Sequence, residues 1–582
     1  MVDYFSPTVI YILRELCEMC ACGLGCDVVV VDIVDRMLDM ANPKPGRDTS
    51  DKSYVCFQSY SAEMEDIRAQ LQDRLHNLKE MLGPLQKYVT PTSALVGLGA
   101  GLTVYWLVKR NKYKLPPGPT PIPLLGNYSL MKDKGLQEEC MKLSEKYGPV
   151  FTVYFGTFRL VIVNNIEAAM EALVKTKADF ADRLQTTSGN MMTDDGKDIA
   201  FSNYSPTWKL HRKIAGTGLR NYLRGGKLED AIHGSLSHAI KLFEDKKEEP
   251  FVPHEYIDLT VSNIIFALCF GNVYEFDDSR FKRMVDLDSE LLTNFGLGFI
   301  EDLVLIMAKM YPTKAYKRAM EIVEEMFEFI NGELKLHKET FDKDNIRDLA
   351  DALILARMEA EHDEDTELLS QLTDVHLKQT LFDVFFAGID TSRFTLQWLF
   401  LYLAANPEIQ RKAQMEVDDA VGRDRLPGLE DRPSMPYTEA VLHETMRIAT
   451  VAPLGVPHAA RVDAKLCGYD IPKGTTVVIN HWALHMDSRH WKEPTKFDPD
   501  RFLDSDGKLG PKPVSWLPFS AGRRVCLGES IAKAELHVIT AIMLHQFDFM
   551  LPPGVAPDYS PEMSSFVGHS PNRYKVILKK RH

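Results

Sequence analysis

Residues 518–528, PFSAGRRVCLG, constrain this chain more than any other stretch. They set one cysteine, Cys526, beside residues that make sense together around a flat metal cofactor. Gly522 and Gly528 permit tight turns and close approach of the backbone to a flat ligand. Arg524, two positions before the cysteine, offers a fixed cation to a carboxylate such as a propionate. Phe519 can cover the sulfur and keep water from it, which tunes a metal–thiolate bond. A buried structural cysteine is the commoner fate of a lone intracellular thiol, but it has no need of this spacing. A haem iron held by the Cys526 thiolate uses every residue of the stretch.

With F-x-x-G-x-R-x-C-x-G and the helical run SIAKAELHVITAIML after it, the chain resembles the haem-binding signature of the cytochrome P-450 superfamily. The resemblance implies a mainly α fold with small β-sheets, the cytochrome P-450 fold, and haem b with Cys526 as axial ligand. Residues 381–398, LFDVFFAGIDTSRFTLQW, read as an apolar helix carrying a small pair, Ala387 and Gly388, then Asp390 and Thr391. An acid in so apolar a run is costly unless hydrated or paired, so it has a purpose. The pattern resembles the superfamily's [AG]-G-x-[DE]-T segment, which implies a groove beside Gly388 for dioxygen and proton delivery through Thr391 and Asp390.

Glu444 and Arg447 stand three apart and share a helix face. With Arg501 they resemble the superfamily's E-x-x-R pair and later arginine, a structural lock around the haem loop. Trp208 and Arg212, four apart, resemble the W-x-x-x-R helix that meets a haem propionate, and His458 matches a further propionate partner. The resemblance implies a second basic partner just before the IAF that precedes this helix. Gly196 and Lys197 stand there, and lysine lacks the planar fork of arginine.

Hydrophobic residues make up 45% of the 582, enough for a sizeable core. The formal net charge of -14 excludes nucleic acid as an expected partner, because phosphate binding needs a basic surface. Nine cysteines spread over such a length do not form a disulfide framework. Strand character is confined to short runs, VFTVYFGTFRLVIVN around Gly156 and GYDIPKGTTVVI; most of the rest reads as helix.

Residues 1–88 are an extension of unknown role. The run from Cys17 to Cys26 lacks the second pair or the histidines of a zinc site, and mixed acids and bases argue against a mitochondrial presequence. Met64, Ile67, Leu71, Leu75, Leu78, Leu82 and Leu85 recur at the spacing of an amphipathic helix. Residues 92–108, TSALVGLGAGLTVYWLV, carry no charge and are followed by Lys109, Arg110, Lys112 and Lys114. This predicts a transmembrane helix over 89–108 with the C-terminal part on the cytosolic side of the endoplasmic reticulum membrane. A basic and proline-rich hinge, 109–126, then leads into a catalytic domain, 127–582.

Longer stretches, IAFSNYSPTWKLHRK, VPHAARVD and VVINHWALHMDSRHWKEPTKFDPDRFL, resemble the steroid 17-alpha-hydroxylase/17,20-lyase group of that superfamily. This implies a lipophilic substrate, with Asn294 meeting a steroid A-ring oxygen and Val456 and Phe566 lining the distal pocket. It also implies electrons from NADPH through a separate NADPH-cytochrome P-450 reductase, with cytochrome b5 as an additional partner. Arg411, Lys412 and Arg523 are candidates for the docking face. No nucleotide-binding glycine motif follows a strand here, so the reductase is another chain. The competing expectations are an aryl-hydrocarbon, xenobiotic or other lipid hydroxylase, a haem isomerase or dehydratase, whose mark is a damaged acid–threonine pair, and a non-catalytic haem-binding membrane protein.

Overall fold

A helix that is apolar on almost every side has to lie at the centre of the molecule it belongs to, and the fold is built round one such helix. The computed structural model describes residues 113–581, apart from 123–124, 128–129, 131–134, 157, 296–299, 304–311, 364–365 and 565–567. The helices of twelve residues or more begin with α1 (Leu136–Tyr147), α2 (Pro206–Arg224), α3 (Lys227–Glu244), α4 (His254–Phe270) and α5 (Ser279–Phe295). They continue with α6 (Lys314–Glu339), α7 (Leu349–His362), α8 (Asp374–Ala405), α9 (Pro407–Val421), α10 (Pro436–Ala449) and α11 (Glu529–Gln546).

The central helix is α8, 32 residues or about 48 Å long. From His376 to Ala404 it is buried except at Val384, Phe386, Ala387, Gly388 and Thr391. α4, α6, α7, α9, α10 and α11 all pack on it. Local signals set the starts of its neighbours. At α2 the Ser205 side chain accepts from the Trp208 N–H, and Pro206 takes the first turn, where no N–H is needed.

The strands are β1 (Val150–Phe155), β2 (Phe158–Val163), β3 (Asp182–Arg183), β4 (His458–Ala459), β5 (Ala464–Leu466), β6 (Tyr469–Ile471) and β7 (Thr476–Ile479), with β8 (Phe547–Met550), β9 (Pro561–Ser564), β10 (His569–Pro571) and β11 (Ile577–Lys580) near the C-terminus. One sheet has the order β1-β2-β7-β4-β3; β5 pairs with β6, β8 with β11 and β9 with β10. The expected turn at Gly156 joins β1 and β2, which pair antiparallel, Val150 opposite Val163. β3 and β4 are short, yet their pairing puts Arg183 directly opposite His458.

The proline-rich segment lies against this sheet: Thr152 donates its N–H to the Pro117 carbonyl at 2.7 Å and its hydroxyl to that of Pro116 at 3.0 Å. Tyr113–His582 form one compact unit. The mainly helical architecture with small sheets agrees with the sequence expectation. The extension, the amphipathic run at 64–85 and the anchor at 89–108 lie outside the described residues. Among the described residues no helix is long and apolar enough to cross a membrane.

Candidate active site

The cysteine loop is closed by a hydrogen bond from the Cys526 N–H to the Phe519 carbonyl, 3.0 Å. Gly522 turns the chain at φ 75°, and a Cβ there would stand 1.8 Å from the Leu173 carbonyl oxygen. The neighbouring backbone, rather than a flat ligand, therefore demands this glycine. Gly528 caps α11, and a Cβ on it would meet nothing within 4 Å. The backbone N–H groups of Gly528 and Glu529, orphan donors at the start of α11, favour negative charge on the Cys526 sulfur. Burial raises the thiol pKa, while these N–H groups and the Arg212 charge pull it down. The residue's own surface is nonetheless exposed. The sulfur is thus hemmed in by protein and yet accessible. A single thiolate in that setting fits an axial iron ligand.

Beside the loop, three arginines converge. Arg524 is buried, with its guanidinium 4.2 Å over the Trp208 ring. It donates to the carbonyls of Ala181 at 2.7 Å, Ile199 at 3.4 Å and Ser202 at 2.5 Å. Arg212 stacks 5.4 Å over the same ring and donates to the Val525 carbonyl. Arg183, from β3, donates to the carbonyls of Ala200 at 3.0 Å and Val456 at 2.7 Å. Burial lowers all three pKa values; Arg524 falls to about 10, and repulsion from Arg524 and Arg212 adds to the fall at Arg183. Each guanidinium carries five N–H groups, more than these carbonyls use. A buried surplus of positive charge beside a thiolate fits a cofactor with carboxylate arms.

His458 completes the cluster, its Nδ1 2.9 Å from the Phe180 carbonyl, and burial drives its pKa well down. The indole N–H of Trp208 is bonded to the Ile199 carbonyl at 2.9 Å, not offered to a propionate as the resemblance implied. Asp383 fixes that loop by accepting the Ile199 N–H at 2.6 Å. Lys197 has Asp194 and His376 as its electrostatic neighbours. The basic residue in the cluster is Arg183, which sequence reasoning passed over.

On α8 the half-open positions Val384, Ala387, Gly388 and Thr391 fall at i, i+3, i+4 and i+7, so they form one accessible strip. Thr391 Oγ1 donates to the Ala387 carbonyl at 2.9 Å. The helix runs unbroken through the small pair. A Cβ on Gly388 would stand 2.9 Å from Ile265 Cδ1, so the glycine lets α4 approach. Asp390 turns away from the strip: Arg393 Nη2 lies 2.5 Å from its carboxylate. The expected link from Asp390 to Thr391 is thus not made here, because i+3 pairing with Arg393 competes for the acid. One residue past Thr391, Ser392 Oγ donates to Glu535 at 3.1 Å and ties α8 to α11, the helix that begins beside Cys526.

The cytochrome P450 family model matches residues 116–578. The chain belongs to the cytochrome P450 family. It is similar to the steroid 17-alpha-hydroxylase/17,20 lyase of Squalus acanthias, 34% identical over 82% of this chain and 94% of that protein. It is also similar to cytochrome P450 1A1 of Platichthys flesus, 33% identical over 86% of this chain and 99% of that protein. Cytochrome P450 2U1 of Homo sapiens is 33% identical over 79% of this chain and 88% of its own length.

The expected lock of this P450 is assembled. Arg447 grips both oxygens of Glu444 at 2.7 Å and donates to the carbonyls of His485 and Pro494 at 2.9 and 2.8 Å. Arg501 Nε donates to Glu444 at 3.1 Å and its other nitrogens hold the carbonyls of Lys492, Glu493 and Lys496. The three docking candidates have near neighbours already: Arg411 pairs with Glu408 at 3.0 Å, Lys412 with Asp500 at 2.7 Å, and Arg523 lies 5.0 Å over Tyr204. Of the proposed substrate residues, Asn294 sits near the end of α5, Val456 is half-buried beside the arginine cluster, and Phe566 lies outside the described residues.

The residues missed from sequence are Arg183, Asp383 and Arg393. The cost of an acid in an apolar run, which singled out Asp390, applies equally to Asp383 in the same stretch.

Proposed function

We propose that this cytochrome P450 monooxygenase inserts one oxygen atom of O2 into a lipophilic substrate of the steroid class at the endoplasmic reticulum membrane. Electrons come from NADPH through a separate reductase, with cytochrome b5 as a further partner. The observation that carries the reading is the Cys526 sulfur at the start of α11, open to a ligand and flanked by Arg183, Arg212 and Arg524. Haem b held there would supply the activation of dioxygen. The N–H groups of Gly528 and Glu529 and the Arg212 charge favour the anionic sulfur against the burial that raises its pKa. The arginines and His458 are the residues that would receive the cofactor's carboxylates. Thr391, on the open strip of α8, presents a hydroxyl that can hold or pass a proton there, and Asp390, turned towards Arg393, would reach it only through solvent.

The steroid class is supported by the shared stretches and by the similarity to the shark hydroxylase, with Asn294 as the polar contact of an otherwise apolar pocket. The second reading, a xenobiotic or other lipid substrate, is favoured by the near-equal similarity to cytochromes P450 1A1 and 2U1. Difference spectra of the haem-loaded protein across a steroid panel separate the two. Displacement of the iron's water by progestogens supports the steroid class; silence to all of them, with a response to planar aromatics, replaces it.

A further inference from the structure

Three carboxyl groups and one guanidinium meet on the buried side of α8. Asp390 and Arg393 belong to α8, Asp288 to α5 and Asp258 to α4. Arg393 Nη2 is 2.5 Å from Asp390 Oδ1 and 3.7 Å from Asp288 Oδ2, and its Nη1 is 4.0 Å from Asp258 Oδ2. Nη1 also donates to Ser289 Oγ at 2.9 Å, and Gln397 Nε2 donates to Asp258 at 2.8 Å. Arg573 adds positive field at Asp258 and at His254, on the same helix.

Asp288 is 0% exposed and Asp390 5%. Neither oxygen of Asp288 has a hydrogen-bond partner among the described residues, and the same Arg393 Nη2 that meets Asp390 brings the two carboxyls side by side. Two ionised carboxylates placed side by side cannot bond each other, since each only accepts. A single proton between them turns repulsion into a short charge-assisted bond. It also trims the buried surplus of three negative charges against one positive.

We propose that Asp288 carries a proton which it shares with Asp390, and so acts as the positioning residue that supplies the proton-handling acid of α8. The proposal rests on the P450 reading of Asp390 and Thr391. Burial and the Asp390 charge hold the Asp288 carboxyl well above the usual range, and burial raises Asp390 too. When a proton is drawn towards Thr391, by way of solvent because Asp390 faces away from it, the shared proton crosses from Asp288 to Asp390 and leaves the pair. Both carboxylates are then ionised, within reach of Arg393, until solvent returns one proton to the pair.

The decisive measurement is infrared spectroscopy of the full, haem-loaded chain carrying isotope-labelled aspartate. At neutral pH a label-sensitive protonated-carboxyl stretch is expected, and Asp288→Asn should remove its share. An unchanged spectrum in Asp288→Asn overturns the proposal. Should that variant fail to fold, Asp288→Glu must move the band, and an unmoved band is equally fatal.

A second arm uses progesterone as the probe. Asp288→Asn keeps the shape and a donor to Asp390 but has no proton to give. The fraction of NADPH electrons recovered in product should fall about tenfold, the equivalent of one pKa unit, with peroxide rising and the thiolate-type carbon monoxide spectrum kept. A purely structural role predicts unchanged coupling. Loss of that spectrum in the wild type would instead sink the P450 reading and leave the infrared result standing alone.

Discussion

Arg183 and Arg524 each use a planar fork to hold several main-chain carbonyls at once, something a lysine's single point cannot do. Arg183→Lys should therefore keep the charge but lose the simultaneous grip on Ala200 and Val456. Several-fold weaker haem retention is expected, measured as thiolate-type absorbance per chain after gel filtration. Gly522 tests the loop itself. Gly522→Ala adds a left-handed residue and a Cβ 1.8 Å from the Leu173 oxygen, so it should cost at least about 2 kcal/mol in chemical denaturation and deplete the haem. The importance of Gly522 was visible in the motif, but its reason was not, since nothing in the stretch names Leu173. Arg183 was invisible for a similar reason: β3 is two residues long, and only pairing with β4 brings it to His458.

α2 is positioned by its first turn, where Ser205 accepts the Trp208 N–H at 3.0 Å. Ser205→Ala should cost about 1 kcal/mol and loosen the presentation of Trp208 and Arg212, read as a lower urea midpoint and faster haem loss. The lock on α10 is more demanding. Glu444→Leu strands Arg447, which is fully buried, and should cost roughly 3–5 kcal/mol in the same assay. E-x-x-R spacing announces a shared helix face without the fold. The carbonyls that Arg447 and Arg501 hold come from residues 485–496, and no helical period reaches that far. The apolar run of α8 was likewise legible as a central helix, whereas its open strip at Val384, Ala387, Gly388 and Thr391 depends on what the neighbouring helices leave uncovered.

At the scale of the molecule, α8 and α11 are joined by Ser392 and the buried Glu535, whose pKa burial raises from 4.5 to about 8. The folded state keeps this proton at a pH where the unfolded chain has lost it. Stability therefore falls as pH rises from 4.5 to about 8 and levels off above that. Glu535→Gln has no proton to lose, so the difference between the two stability–pH curves should open through this window and reach a few kcal/mol in favour of the variant. Equal curves would show that Glu535 titrates normally. By itself the sequence singled out Cys526, the family, the apolar helix and the Glu444–Arg447 pair, because each is encoded by local spacing along a loop or a helix turn. Only the tertiary structure decided that Arg183 joins the cation cluster and that Asp258, Asp288 and Asp390 share one arginine. Those meetings are made by separate helices and strands packing together, and long-range packing leaves no period in the chain.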